Sequence, residues 1–259
     1  MKITVCGVAF DDLTLEEAVK RAMGGGETCT VCTPNALMLE ACREHPQYTE
    51  LLNSASLVLA DGAGVLAAAK RQGTPLCRRI AGIDFGEALL REAAVRGDRV
   101  FFLGGADGVA PQAAEKMIKK HPNLHVCGAF WGYFEKEGDE NRRVLGMIRA
   151  CRPDILLVCF GFPMQEYWIR DNLPLLPSVR VAAGLGGSLD VWAGRVRRAP
   201  VFLQNSGLEW AWRMAADPKR IKQLPHMFRF AKTKVMGEKV VGFAHTKVAD
   251  SVRTCLKPF

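Results

Sequence analysis

Short apolar runs alternate with helical patterns over most of the chain. Strands separated by helices of ten or more residues favour a mostly parallel sheet with helices on both faces. The predicted strands are 3–10, 29–32, 57–60, 99–103, 124–130, 154–160 and 179–183. The predicted helices are 12–23, 47–53, 63–71, 84–96 and 139–151, with a further helix that ends at residue 120. The pattern therefore predicts an α/β fold with a Rossmann-like sheet.

The last quarter of the chain differs in both pattern and charge. Residues 200–259 have helical periodicity without strand-like runs, so we predict an α/β domain over 1–195 and a helical appendage over 196–259. The first part carries 22 Lys and Arg against 23 Asp and Glu, a net of −1, and the second carries 13 against 4, a net of +9. A basic excess confined to one end indicates an anionic partner: phospholipid headgroups, diphosphates or nucleic acid.

Composition excludes several classes of protein. Hydrophobic residues make up 49% and charged residues 24%, which is ordinary globular usage. No apolar run approaches the ~18 residues of a membrane-spanning helix, and the N-terminus does not read as a signal peptide, so we expect a cytoplasmic protein. The nine cysteines lie mostly in apolar runs, and the pair Cys29 and Cys32 has no second pair at zinc spacing. We expect neither a metal nor another cofactor.

Polar side chains directly follow two of the predicted strands. Thr33 and Asn35 come after strand 29–32, and Asp61 comes after strand 57–60, each where a helical pattern opens. Since ligands collect beyond the carboxyl ends of parallel strands, we expect these side chains to share one crevice. A carboxylate placed there can act as a general base. The alternative is that Thr33 and Asp61 only cap their helices.

Two glycine-rich turns and one amide follow later strands. Gly104 and Gly105 lie in a turn whose backbone N–H groups could approach a phosphate, although the spacing is not that of a dinucleotide-binding motif. Gly186 lies in a similar turn after strand 179–183. Gln165 opens a helical pattern after strand 154–160, where a carboxamide can bond a sugar or a base. The alternatives are plain tight turns and an ordinary residue of a first helical turn.

Arginines mark two candidate anion sites. Arg79 follows Arg78 ahead of helix 84–96, and a guanidinium can bind a diphosphate through two parallel hydrogen bonds. In the appendage, Arg213 and Arg220 belong to a basic stretch interleaved with Trp and Phe, which suits the headgroup layer of an anionic bilayer. Nucleic-acid binding would use the same charges but has no recognised motif here. Packing of an amphipathic helix on the domain is the third interpretation.

Seven segments resemble the WecG/TagA/CpsF glycosyltransferase family. They occur in the same order as in that family and cover most of residues 1–222. They are TPNALMLEA, LVLADGAGV, RRIAGIDF, FLGGADGVA, PDILLVCFGFPMQEYW, GLGGSLDVWAGRVRRAP and GLEWAWR. The resemblance implies transfer of an N-acetylmannosamine-type or related sugar from a UDP-sugar to a polyprenyl-diphosphate-linked sugar at the inner face of the bacterial membrane. The best-known activity in the family joins β-N-acetylmannosamine to undecaprenyl-diphospho-N-acetylglucosamine in the linkage unit of wall teichoic acid.

The resemblance also implies roles for individual residues of the domain. Asp61 becomes the candidate base, and Thr33 becomes a second residue of the catalytic pocket. Asn35, Arg79 and Gln165 would position the nucleotide sugar or the acceptor.

In the appendage, the family brings arginines over the diphosphate. Arg213 and Arg220 match two of these positions, whereas Gln223, with Lys222 beside it, stands at the third. Pro225 also interrupts the helix that the family would have there. The appendage therefore departs from the family pattern at two places, whereas the quoted segments of the domain follow it.

The sequence as a whole predicts an inverting transferase that uses UDP-N-acetylmannosamine and undecaprenyl-diphospho-N-acetylglucosamine. The expected partners are the UDP-sugar donor, the polyprenyl-diphosphate-linked acceptor and the anionic surface at the inner face of the plasma membrane. Nucleic acid is not an expected partner. A homo-oligomer is left open. One alternative is a related transferase that uses UDP-glucose or UDP-N-acetylmannosaminuronic acid for exopolysaccharide or capsule. An alternative from another class is a nucleotide- or nucleic-acid-binding regulator.

Overall fold

The computed structural model describes residues 2–200 together with Leu203 and Trp212. Its strands are β1 (Lys2–Val5), β2 (Val8–Asp11), β3 (Cys29–Cys32), β4 (Leu57–Val58), β5 (Arg99–Gly104), β6 (His125–Phe130), β7 (Ile155–Cys159) and β8 (Val181–Gly184). β1 and β2 form an antiparallel hairpin, and the other six form one parallel sheet in the order β4-β3-β8-β7-β5-β6. The predicted α/β class with a mostly parallel sheet is confirmed.

Helices cover both faces of the sheet. They are α1 (Leu15–Gly24), α2 (Ala36–Glu44), α3 (Pro46–Asn53), α4 (Ala63–Arg71), α5 (Gly82–Arg96), α6 (Val109–Lys120), α7 (Gly138–Cys151), α8 (Met164–Asn172) and α9 (Ser188–Trp192), with a 3-10 turn at Leu173–Leu175. On one face, a single hydrophobic core joins α1, α5, α6 and α9 to the sheet. On the opposite face there are two cores, one containing α2 and α4 and the other containing α7 and α8. Val31 lies in the first core and its neighbour Cys32 in the second, as expected of a strand buried on both faces.

The N-terminal segment 3–10 is not the single strand that its apolar run predicts. It reverses at Cys6 and Gly7, whose φ angles are 50° and 83°. A two-residue turn with positive φ at both positions matches the right-handed twist of a hairpin. The amide nitrogen of Asn53 donates to the Gly7 carbonyl at 2.9 Å and fixes the turn on α3. A tertiary contact of this kind leaves no local signal in the sequence.

Helix α1 begins with a capping box. The Thr14 hydroxyl accepts a hydrogen bond from the Glu17 N–H at 3.1 Å, and the Glu17 carboxylate accepts one from the Thr14 N–H at 2.7 Å. Because α1 leads into β3 and packs against the same face as α5, its N-terminus lies at the carboxyl edge of the sheet. The N-terminus of α5, which leads into β5, lies at that edge for the same reason.

The strand order creates a topological switch between β5 and β7. From β5 the chain moves outward to β6, whereas from β7 it moves in the opposite direction to β8. The helices that follow these two strands, α6 and α8, lie on opposite faces of the sheet. In open α/β sheets, ligands bind outside the carboxyl ends of the strands at such points. The topology therefore predicts a ligand site at the carboxyl edge of the sheet.

Candidate active site

The carboxyl ends of β3 and β4 bring Thr33 and Asp61 to the same edge of the sheet. The Asp61 N–H donates to the Pro34 carbonyl at 3.0 Å, and the Ile80 N–H donates to the Ala60 carbonyl at 2.9 Å. These backbone hydrogen bonds hold three segments side by side: those after β3, after β4 and before α5. Parallel pairing of β3 and β4 therefore brings the two residues to one edge, and the crevice that they are expected to share stays a prediction.

Thr33 packs against the first turn of α5. Its exposure is 9%, and a Cβ added at Gly82 would lie 2.6 Å from its hydroxyl oxygen. Ala81, at the N-cap of α5, gives that helix no side-chain capping bond. A helix N-terminus carries partial positive charge, so the Thr33 hydroxyl lies beside a helix end that favours an anion.

Thr33 and Asp61 are not the N-caps of the helices that follow them. Asn35 caps α2, and its side-chain oxygen accepts from two backbone N–H groups of the first turn at 3.0 and 3.2 Å. Gly62 stands at the N-cap of α4 without a side-chain capping bond. The N-cap positions of α2 and α4 thus belong to Asn35 and Gly62 and not to Thr33 and Asp61. Since the oxygen of Asn35 holds α2, its amide nitrogen is the group it would offer a ligand, and substrate binding by Asn35 stays a prediction.

Arg79 lies on a groove between the N-termini of α1 and α5. The cavity has a volume of about 410 Å³. It is lined by Leu13, Thr14, Leu15, Glu16, Arg78, Arg79, Ile80 and Asp84. The two guanidinium groups and the two helix N-termini favour an anion, whereas the two carboxylates oppose one. The groove thus has mixed polarity, and the backbone N–H of its lining residue Ile80 bonds the segment that follows β4. Binding of a diphosphate by Arg79 stays a prediction.

Gln165 lies in the first turn of α8 and joins two neighbouring turns of the carboxyl edge. It is 4% exposed, and its Oε1 accepts from the Gly186 N–H at 3.0 Å and from the Gly161 N–H at 3.2 Å. Gly161 belongs to the turn after β7, and Gly186 belongs to the turn after β8. One buried carboxamide therefore ties the ends of two adjacent strands together. Direct contact of Gln165 or Gly186 with substrate stays a prediction.

Gly104 and Gly105 are required by close packing inside the fold. Gly104 has φ of 145°, and a Cβ there would overlap the Cys159 carbonyl oxygen and lie 2.7 Å from its carbonyl carbon. The Gly105 N–H donates to the Cys159 carbonyl at 3.3 Å, and the Gly105 carbonyl accepts from the Gly132 N–H at 2.8 Å. The Gly105 amide is therefore committed to a neighbouring strand. Phosphate binding by this turn stays a prediction, and other amides of the turn would have to supply it.

Comparison with known proteins decides the family. The sequence profile described as "Glycosyl transferase WecG/TagA/CpsF family" matches residues 3–240. The chain belongs to this family. Two relatives, from Staphylococcus aureus strains NCTC 8325 / PS 47 and COL, are each 35% identical over 242 residues, which cover 90% of this chain and 93% of the relative. Both are named N-acetylglucosaminyldiphosphoundecaprenol N-acetyl-beta-D-mannosaminyltransferase.

The comparisons confirm the resemblance and the enzyme class drawn from the motifs. The protein is a glycosyltransferase, and the family match extends through the α/β domain into the basic segment. The regulator without enzymatic activity, considered as an alternative, is wrong.

Glu166 is a feature of this glycosyltransferase that the motifs did not single out. It is 7% exposed, and its Oε1 accepts from the amide nitrogen of Gln165 at 2.8 Å. Its Oε2 is buried and has no hydrogen-bond partner among the described residues. Burial raises the pKa of Glu166 to about 7, against the opposing effects of the Gln165 hydrogen bond and its own backbone N–H. Helical spacing from the apolar Ile169 could have indicated that Glu166 faces inward.

A second unpredicted contact anchors the segment that leads out of α9. Both side-chain Nη atoms of Arg198 engage the Asp84 carboxylate, at 2.7 and 2.8 Å, in the first turn of α5. Ala199 is buried beside it, and the indole nitrogen of Trp212 donates to the Arg197 carbonyl at 3.1 Å. Residues 197–199 therefore pack next to the groove that Arg79 lines. The predicted boundary at 195/196 stays a prediction.

Arg213 and Arg220, the two predicted appendage residues, lie outside the described residues. Within the part of the chain that the structure describes, no three His, Cys, Asp or Glu side chains gather as metal ligands, and no helix has the length and hydropathy needed to cross a bilayer. A further cavity, of about 540 Å³, is lined by Arg99, Arg152, Asp154 and Ser178. It lies at the amino ends of β5 and β7, at the opposite edge of the sheet from Thr33 and Asp61.

Proposed function

We propose that this glycosyltransferase moves N-acetylmannosamine from UDP-N-acetylmannosamine to N-acetylglucosamine linked by a diphosphate to undecaprenol. The observation that carries the proposal is the match to relatives named for that acceptor and that sugar over 93% of their length. The common edge occupied by Thr33 and Asp61, next to a groove with two arginines, supports it.

The proposed reaction is one displacement at the anomeric carbon. A hydroxyl of the acceptor sugar attacks that carbon, the bond to the UDP oxygen breaks, and UDP leaves with the bonding electron pair. Asp61 accepts the proton of the attacking hydroxyl, as a well-placed carboxylate can. An α-linked nucleotide sugar would give the β linkage of the relatives' name through inversion of configuration.

Negative charge that builds on the departing diphosphate needs compensation. In our proposal Arg79 and the N-terminus of α5 provide it from the domain, and Arg213 and Arg220 provide it from the appendage. Thr33 would donate a hydrogen bond at the same end of α5. We propose that the reaction needs no metal and no other cofactor, so turnover should persist in excess EDTA.

The proposed acceptor is part of a membrane, which gives the basic segment a role. The net charge of +9 over residues 196–259 would hold the enzyme peripherally on anionic headgroups at the inner face of the plasma membrane. Sedimentation of the full chain with vesicles should then require anionic lipid and weaken as salt rises, because exposed charges are screened. Equal sedimentation with neutral vesicles would contradict this part of the proposal.

The central test is release of UDP from UDP-N-acetylmannosamine, with and without a synthetic lipid-diphosphate-N-acetylglucosamine acceptor. We expect acceptor-dependent release by the wild type and severe loss in Asp61→Ala. Asp171→Ala, an exposed aspartate near the C-terminus of α8, is the matched control and should retain full turnover. A panel with UDP-glucose and UDP-N-acetylmannosaminuronic acid completes the test. Preference for one of these donors would overturn the assigned sugar and leave the transferase class intact.

A further inference from the structure

The turns after β7 and β8 depend on the orientation of one amide group. Both Gly161 and Gly186 donate their N–H groups to Oε1 of Gln165. If the carboxamide rotated by half a turn, its NH₂ group would face two other donors and both hydrogen bonds would be lost. The two turns therefore keep their positions only if a neighbouring group holds the Gln165 amide in this orientation.

Glu166 supplies that restraint. Its Oε1 accepts from Nε2 of Gln165 at 2.8 Å, and a carboxylate or carboxyl carbonyl oxygen can only accept at that position. The two side chains form a chain of hydrogen bonds from the Glu166 carboxyl, through the Gln165 amide, to Gly161 and Gly186. Gly184 completes the fit, since a Cβ there would lie 2.8 Å from Nε2 of Gln165. The amide is held on one side by the strand and on the other by the acid.

The surroundings of Glu166 are unusual for a residue with a purely structural role. The carboxyl group is buried, it interacts electrostatically with the Cys32 thiol, and its second oxygen has no hydrogen-bond partner among the described residues. Burying an ionisable group without full pairing is costly, and an apolar side chain would fill the same space without that cost. The acid is the component that a hydrophobic residue could not replace, because it accepts from Gln165.

We propose that Glu166 is a positioning residue for the transferase: by orienting the Gln165 amide, it sets the turns after β7 and β8 between which the nucleotide part of the donor binds. The proposal rests on the proposed function, because it places the donor at the carboxyl edge of these strands. That edge adjoins the switch between β5 and β7, where nucleotides bind in sheets of this kind.

The test compares Glu166→Met, which keeps the volume and removes the acceptor, with Glu166→Gln, which keeps an acceptor oxygen. We expect Glu166→Met to raise the KM for UDP-N-acetylmannosamine by about tenfold with a smaller change in kcat, and Glu166→Gln to stay within about twofold of wild type. Asn172→Ala is the matched control. It removes buried hydrogen bonds to Asn141 and to the Trp168 carbonyl at the far end of α8, and should lower stability without moving the donor KM.

A second measurement separates this proposal from the proposed function. Binding of UDP alone, followed by titration calorimetry on the full chain, should weaken in Glu166→Met and recover in Glu166→Gln, whichever sugar the enzyme transfers. If the wild type fails to use UDP-N-acetylmannosamine but this pattern of UDP binding holds, the donor assignment fails and the role of Glu166 stands. Equal KM and UDP affinity in wild type and Glu166→Met would overturn the role of Glu166. Equal losses in the Met and Gln variants would also overturn it, because the acceptor oxygen would then not be what matters.

Discussion

The two ends of the carboxyl edge are built in different ways. At β3 and β4, backbone hydrogen bonds set the positions, from Asp61 to Pro34 and from Ile80 to Ala60. At β7 and β8, a side chain sets them, because the Gln165 carboxamide joins the two turns. Backbone bonds survive a change of side chain, whereas the carboxamide joint does not.

This difference separates chemistry from geometry along one edge. Side chains at the β3/β4 end can be exchanged to change what the site does while its shape is kept. Changes at the β5/β7/β8 end alter shape first, and activity follows.

Asp61→Asn should have the largest effect. Removing a general base costs about 10²–10⁴ in rate, so we expect kcat to fall by that range while the donor KM and the melting temperature stay near those of the wild type. Acceptor-dependent UDP release measures the rate, and Asp171→Asn is the exposed control. A parallel loss of stability would mean that the Asp61 side chain helps to hold the fold. The β3/β4 end would then not be positioned by backbone hydrogen bonds alone.

Gly104→Ala should show the opposite behaviour, with lost stability as the primary effect. The new Cβ would overlap the Cys159 carbonyl, and φ of 145° is itself strained for alanine. Overpacking and backbone strain of this kind cost about 4 kcal/mol together. Gly146→Ala is the control, since it lies in the exposed middle of α7 with nothing within 4 Å, and should stabilise by about 0.5–1 kcal/mol. Urea unfolding measures both, and a Gly104→Ala protein as stable as wild type would contradict the close packing.

The same division explains which parts of the site the sequence could predict. Thr33 and Asp61 follow apolar runs directly, so strand pairing alone brings them to one edge. The order of elements and the parallel sheet were predictable because the apolar runs and the helical patterns alternate regularly. The positions of these residues depend on local patterns and on a general rule of the fold.

The other end depends on contacts between residues far apart in sequence. The bond between Gln165 and Gly186 spans 21 positions, and that between Arg198 and Asp84 spans 114. No periodicity encodes such a pairing, so Gln165 is recognisable as a polar residue after a strand but not as a joint. The hairpin turn at Cys6 depends on a contact of the same kind, because Asn53 from another element stabilises it.

The pH dependence of stability should report the burial of Glu166. Desolvation raises its pKa from 4.5 to about 7 in the folded protein, so the folded state binds the proton more tightly than the unfolded chain does. The stabilising contribution of the protonated form is full below pH 4.5 and is lost as the pH rises through about 7. At about 1.4 kcal/mol per pH unit this amounts to about 3 kcal/mol. The Cys32 thiol on β3 interacts electrostatically with Glu166. Burial raises the pKa of this thiol well above 9.0, so the thiol stays neutral across this window.

Urea unfolding of wild type and Glu166→Gln between pH 4 and 8 would measure this contribution to stability. The difference between their unfolding free energies should change by about 3 kcal/mol over that range, in the direction that disfavours the wild type at high pH. Parallel curves would show that the carboxyl is solvated in the folded protein. In that case, buried side chains would not be what holds the turns after β7 and β8 together.

Gly82→Ala should have the smallest effect of these four changes. It tests how closely the activity depends on the position of the Thr33 hydroxyl at the β3/β4 end. The added Cβ would lie 2.6 Å from the Thr33 hydroxyl, whose side chain must rotate or shift to relieve the overlap. Alanine is otherwise well suited to a first helical turn, so stability should change by less than about 1 kcal/mol. Turnover should nevertheless fall by about tenfold, because the hydroxyl leaves its place at the N-terminus of α5. Thr33→Val, which removes the hydroxyl in place, should reduce kcat to a similar degree, and the double variant should be no worse than either single one. Additive losses would show that Gly82 acts on the site by some route other than Thr33, and that the shape of this end does not rest on backbone bonds alone.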